Sequence, residues 1–114
     1  MKKKIKPWGY EKLIEKNNKY LLKKLFMKKN HQCSLQYHVK KKETIYVISG
    51  ALKIFFGDKI NKLKSKVFKS GDSITIPPKK IHRMYGLTDC IYLEASTPQN
   101  SDVIRLLDDY KRVK

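Results

Sequence analysis

At 114 residues the chain is one domain, and a fold of this size buries roughly 65% of the surface its unfolded chain exposes, enough for one compact core. Lys and Arg number 27 against 10 Asp and Glu, a formal net charge of +17, but only Arg83, Arg105 and Arg112 are arginines and the lysines are scattered along the chain; a solvated lysine-rich surface is favoured over a nucleic-acid partner, which is often read with the bidentate guanidinium. No apolar run approaches the about 20 residues that span a bilayer, and the basic start MKKKIKPWGY lacks the apolar centre of a signal peptide, so the expectation is a cytoplasmic protein with no membrane partner.

In chain order, the opening KPWGYE holds Trp8 between Pro7 and Gly9, where it either lids a cavity or covers apolar surface, the second being favoured. YLLKKLFM, Tyr20 to Met27, fits a strand or a short helix, because its apolar spacing matches neither period cleanly. Cys33 follows, and Cys90 stands far from it without disulfide or metal-knuckle spacing, so both read as small buried residues. SLQYHV leads to TIYVIS; Ser49-Gly50 turns into ALKIFF, where Leu52, Ile54 and Phe56 alternate with Lys53 and Phe55; Gly57-Asp58 ends that run. LKSKVF, a turn at Ser70-Gly71-Asp72, SITI and Pro77-Pro78 come next, and HRMYGL is expected to pair with CIYLEAS across Thr88-Asp89. About eight short strands and few helical segments favour a closed or double-sheet all-β architecture, a jelly-roll barrel, which protects its sheet edges and encloses an interior. Tyr46 and Ile48 beside Ile45 and Val47 make both faces of one strand apolar, and a homodimer through strands is expected.

Four polar residues do not suit a plain core. Gln36 and His38 are two apart and share a strand face. Glu43 enters the next strand across the polar stretch Val39 to Lys42, and His82 starts a strand soon after Pro77-Pro78, so two hairpins can bring all four to one point. Any one of them alone reads as a surface or hydrogen-bonded residue. Together they suggest a metal, because an unpaired buried carboxylate costs several kcal/mol. One divalent ion is expected, with zinc first and iron, manganese and nickel also suited to these ligands.

The spacing resembles the first motif of the cupin superfamily: Asn30, five residues, Gln36-x-His38, four residues, Glu43, six residues, Gly50. The second motif follows as Gly71, five residues, Pro77-x-Lys79, two residues, His82, three residues, Gly86. Asn30 and Lys79 stand where the family has glycine, Gln36 where it has the first His and Gly86 where it has Asn. The resemblance implies a cupin-type double-stranded β-helix with Gln36, His38, Glu43 and His82 as metal ligands.

KPWGYE, SLQYH, IPPKKIHR and DVIRLLDDYKR are similar, more narrowly, to the carboxy-terminal domain of type II mannose-6-phosphate isomerases, over about residues 6 to 112. Gln-x-His in place of His-x-His is also the pattern of phosphomannose isomerases. Val39, Lys40 and Thr44 replace histidines of that family, and Lys111 replaces a glycine. The resemblance implies a metal-dependent aldose–ketose isomerase, or another enzyme acting on a sugar phosphate or nucleotide sugar in polysaccharide precursor synthesis. In that reading Lys79 and Arg83, with Lys80 beside them, flank His82 and bind substrate, and Arg105 is a weaker candidate from the tail. No general base is assigned: Glu43 would be a ligand, and Glu94 lies on a later strand of unknown facing. Two other functions remain open, a non-catalytic sugar-binding cupin and, more weakly, a basic nucleic-acid binder.

Overall fold

The computed structural model describes residues 3–99 and 101–110, and Lys111 and Arg112 at the end of the closing motif lie outside the described residues. The alternating pattern is realised as eleven strands: β1 (Lys3–Lys6), β2 (Gly9–Lys16), β3 (Leu21–Met27), β4 (Leu35–His38), β5 (Glu43–Ser49), β6 (Ala51–Gly57), β7 (Lys64–Lys69), β8 (Ser73–Ile76), β9 (Ile81–Gly86), β10 (Cys90–Ser96) and β11 (Val103–Leu107). They form two antiparallel sheets, one ordered β1-β2-β3-β10-β5-β8 and the other β11-β4-β9-β6-β7. The double-sheet all-β architecture expected from the sequence is therefore present, with β1, β2 and β11 added to the strands read there. Among the described residues there is no helix, and so none long and apolar enough to cross a membrane.

The two inner faces meet in a core that includes Leu25, Met27, Ile45, Val47, Ile54 and Tyr92. The ambiguous segment is a strand, β3, whose burial alternates at every residue. Leu21, Lys23, Leu25 and Met27 point inward, and burial of one face of a sheet decides the period that the apolar residues left open. Trp8 is 5% exposed and packs in the core, and it also lines the interior cavity. Cys33 and Cys90 are both buried and free.

One expected pairing is corrected. β9 and β10 are not a hairpin: β9 pairs with β4 and β6, whereas β10 pairs with β3 and β5 in the other sheet. The chain leaves the five-stranded sheet after Gly86, whose backbone is tied to the loop following β3 by Gly86 N–H to His31 O and Asn30 N–H to Gly86 O. A Cβ on Gly86 would come within 2.4 Å of Lys28 O, so glycine allows this close approach. Thr88-Asp89 is thus a crossover between sheets, and the inner faces of β9 and β10 look at each other through Met84 and Tyr92 instead of lying side by side.

Candidate metal centre

Pairing between strands brings the polar residues together. Gln36 on β4 is the direct partner of His82 on β9 and also of Arg105 on β11, so the three form a row across one sheet. Val39 to Lys42 connects β4 to β5 and is held by Asp102, whose Oδ2 accepts from Lys40 N–H at 2.6 Å and Lys41 N–H at 2.9 Å. Glu43 opens β5 on the opposite sheet, facing inward. On the other side, Lys79 N–H donates to His38 O at 2.6 Å, which fastens the turn before His82 to the strand carrying His38. Lys79 and Asn30, which stand at motif glycines, have φ of 68° and 62°. Both therefore adopt the left-handed backbone that glycine takes freely.

His38, Glu43 and His82 are all buried, and one ligand atom from each lies within 4.8 Å of the others. Glu43 Oε1 is 3.2 Å from His82 Nε2, and Glu43 Oε2 is 3.7 Å from His38 Nε2. His82 Nδ1 lies 2.9 Å from Lys80 O; a carbonyl only accepts, so Nδ1 carries the proton. In the neutral ring this leaves the Nε2 lone pair aimed at Glu43. Two electron-rich atoms meet there, and the contact is favourable only with a cation between them, either a proton on His82 or a metal ion. His38 Nδ1 and Nε2 and His82 Nε2 have no hydrogen-bond partner, and Glu43 Oε2 has none beyond the ion-pair contact of Lys41 Nζ at 3.3 Å; buried nitrogens left this way are costly. Two imidazoles and a carboxylate fit a divalent metal, and a carbonyl behind the imidazole is a common arrangement around such ions.

Burial pushes His38 down to about 4, against the opposing pull of Glu43 and with help from Lys41 and His82. Its ring is consequently neutral over the ordinary pH range. For Glu43, burial favours the protonated form, but His82 at 3.2 Å, followed by Lys41 and His38, brings the carboxyl down to about 2. His38 thus offers a neutral nitrogen and Glu43 an anionic oxygen, the forms in which these groups ligate metals. Gln36 shares the sheet row with His82, while its Oε1 accepts from Ser34 Oγ.

A cavity of about 600 Å³ opens beside the centre, with His38, Gln36, Lys41, Glu94 and Arg105 on its wall. Glu43 and His82 lie off that wall, so the centre meets the cavity through His38 and Gln36. Arg105 lines the cavity, and its Nε is buried without a hydrogen-bond partner. Arg83 instead donates to Cys33 O and Leu107 O and lies 3.8 Å from Asp109, which engages it in tying β11 to the sheet. Lys79 sits on an exposed turn, and Lys80 pairs with Asp58 at 2.7 Å. None of these three lines the cavity.

Sequence reasoning missed a charged wall. Lys41 is 5% exposed, with Nζ 2.8 Å from Glu94 Oε2 and 3.3 Å from Glu43 Oε2. Lys23, the cross-strand neighbour of Glu94, pairs with Glu11 at 3.7 Å, and Lys6 meets the same carboxylate at 3.9 Å. Burial first, and then the charge of Glu43, push the Glu94 carboxyl up, while Lys41 and Lys23 oppose them. Burial works against the Lys41 ammonium, but Glu94 and Glu43 outweigh it and raise its pKa. Lys23 had one signal, a lysine at an inward position of an alternating strand; Lys41, the middle of three lysines, had none.

The family described as Mannose-6-phosphate isomerase C-terminal matches residues 1–108. A mannose-1-phosphate guanylyltransferase 2 of Escherichia coli O157:H7 is 29% identical over 112 residues; the match takes in 94% of this chain but only 22% of that protein's length. Among solved structures, KdgF from Halomonas sp. superposes with a TM-score of 0.78 at 14% identity over 90% of each chain. The capsular polysaccharide assembling protein CapF from Staphylococcus aureus gives 0.79 at 18% identity, over 92% of this chain and 34% of that one. Oxalate decarboxylase from Bacillus subtilis gives 0.81 at 16% identity, over 92% and 30%. The fold is that of the cupins.

Proposed function

The chain belongs to the mannose-6-phosphate isomerase C-terminal family, and on that premise we propose that it is a metal-binding cupin domain acting on a sugar phosphate or nucleotide sugar in polysaccharide precursor synthesis, with isomerisation of mannose 6-phosphate the sharpest form. The observation that carries this reading is the convergence of His38, Glu43 and His82, with buried imidazole nitrogens that have no hydrogen-bond partner gathered around one buried carboxylate. These three residues would hold one divalent ion, zinc first, with Gln36 as the fourth ligand once it turns from Ser34. A bound divalent ion supplies Lewis acidity that polarises a sugar carbonyl and stabilises the charge developing on its oxygen. His38 presents a neutral ring, and Lys80 O holds the His82 tautomer. Arg105 faces the cavity beside Gln36 and would take the anionic group of the substrate, a role its geometry supports better than that of Lys79 or Arg83. The proposed assembly is a homodimer in the cytoplasm. The test is the metal content of purified protein together with conversion of mannose 6-phosphate to fructose 6-phosphate. Stoichiometric metal and turnover, both lost in folded His82→Ala, are expected; a metal-free, inactive wild type would rule the reading out.

A second reading, a sugar-binding cupin without turnover, is favoured by the charged wall. Glu94 and Glu11, the carboxylates on the cavity wall, are both ion-paired with lysines, which leaves neither free to act as a general base. Stoichiometric metal and saturable sugar-phosphate binding, with no turnover, would select this reading.

A further inference from the structure

Lys41 places an ammonium on the same carboxylate that the proposed metal would use. Its Nζ is 3.3 Å from Glu43 Oε2 in a site where both side chains are almost fully buried, 6% and 1% exposed. A divalent cation and an ammonium sharing one buried carboxylate repel each other, and little water is present to screen them. The shorter contact of Lys41 is to Glu94, a hydrogen bond of 2.8 Å to Oε2. Glu94 is itself buried on β10, and the nearby Lys23 is paired with Glu11. Lys41 and Glu94 therefore form a neutral unit next to Glu43.

We infer that Glu94 is a positioning residue of the metal centre: by pairing with Lys41 it neutralises the ammonium and draws it towards β10, so that Glu43 can ligate a divalent ion. The inference rests on the metal reading of His38, Glu43 and His82. It gives the Lys41–Glu94 pair a sign as well as a place, since removing either partner changes the charge beside the ion in opposite directions. Without Glu94, Lys41 stands as an uncompensated cation that competes for Glu43. Without Lys41, Glu43 loses its competitor and no ammonium stands beside the ion. A pair that only braced the fold would weaken metal binding whichever partner was removed.

The experiment measures cobalt(II) affinity on the full chain by competition with a chromophoric chelator, with thermal melting of each metal-free variant as a check on folding. Glu94→Gln is expected to weaken binding about tenfold or more, Lys41→Met to tighten it at least about threefold, and the double variant Lys41→Met/Glu94→Gln to return within about threefold of wild type. The double variant replaces a buried ion pair with neutral groups of similar size, a change that folds tolerate well, so it and Lys41→Met decide the matter even where Glu94→Gln does not fold. Weaker or unchanged binding in Lys41→Met, or a double variant no better than Glu94→Gln, overturns the inference. Wild-type protein that binds no stoichiometric cobalt overturns the metal reading itself, and this inference with it; bound cobalt indifferent to both residues overturns the inference alone.

Discussion

His82 Nε2 lies 3.2 Å from Glu43 Oε1 while its Nδ1 is held at 2.9 Å by Lys80 O, so the ring has a fixed direction and points at a carboxylate from the opposite sheet. That relationship makes His82 the most sensitive of the four proposed ligands. His82→Ala is expected to reduce zinc affinity by roughly 100-fold or more, beyond the 10–100-fold typical of residues that only support a ligand. Gln36→Ala, whose side-chain oxygen is already engaged by Ser34, is expected to cost less. Zinc retained after dialysis, measured per folded chain, gives the ranking; equal retention in both variants would contradict it.

The turn that delivers His82 carries a lysine in left-handed backbone, with φ of 68° at Lys79. That conformation costs a non-glycine residue about 1–2 kcal/mol, and glycine returns part of the gain through its more flexible unfolded chain. Lys79→Gly should therefore raise stability by about 0.5–1 kcal/mol while keeping the Lys79 N–H bond to His38 O. Gly86→Ala should do the reverse, because the new Cβ meets Lys28 O at 2.4 Å in the crossover. Urea unfolding of the two variants would show opposite displacements of the midpoint; displacements of the same sign would refute the backbone account.

Much of this arrangement was legible in the sequence, and the remainder was hidden for physical reasons. Gln36, His38, Glu43 and His82 stood out because polar residues at strand spacing sit beside apolar runs. β3 was ambiguous because Lys23 faces inward while Leu22 and Phe26 are less buried on the outer side, which blurs the period-two signal. The strand partners of β9 and β10 could not be read, since inward alternation is the same for two strands side by side and for two strands facing each other across a core. Lys41 was hidden among Lys40 and Lys42; only the fold shows that the middle one is buried.

Asp102 joins the segment before β11 to the turn between β4 and β5, and the pH dependence of that link has a defined sign. The backbone N–H of Lys40 first, against an opposing contribution from desolvation, and then those of Lys41 and Val39 hold its carboxyl below the ordinary 3.8. A carboxyl depressed in the folded state contributes stability above its unfolded pKa and loses it as pH falls through the folded value. Wild type should thus melt above Asp102→Asn at pH 6, and the difference should shrink as the pH falls below about 3.8. Melting temperatures of both proteins from pH 6 to pH 2.5 test this; a gap that widens on acidification would contradict it.

The outer face of the six-stranded sheet is the natural contact for the proposed homodimer. Tyr46 and Ile48 on β5 are 45% and 41% exposed. Leu93 is the register neighbour of Tyr46, and Ile91 that of Phe26, whose ring stacks on Tyr10 at 5.4 Å. Burying such a face favours association, but two chains of formal charge +17 repel each other at low ionic strength. Screening falls within a Debye length of about 10 Å at 0.1 M salt and about 3 Å at 1 M, so salt should strengthen the dimer, opposite to what it does to an interface made of ion pairs. Tyr46→Lys removes apolar contact and adds charge on this face, and it should weaken dimerisation at least about tenfold. Sedimentation or light scattering at low and high salt reads both effects, and a dimer that dissociates as salt rises would place the contact elsewhere.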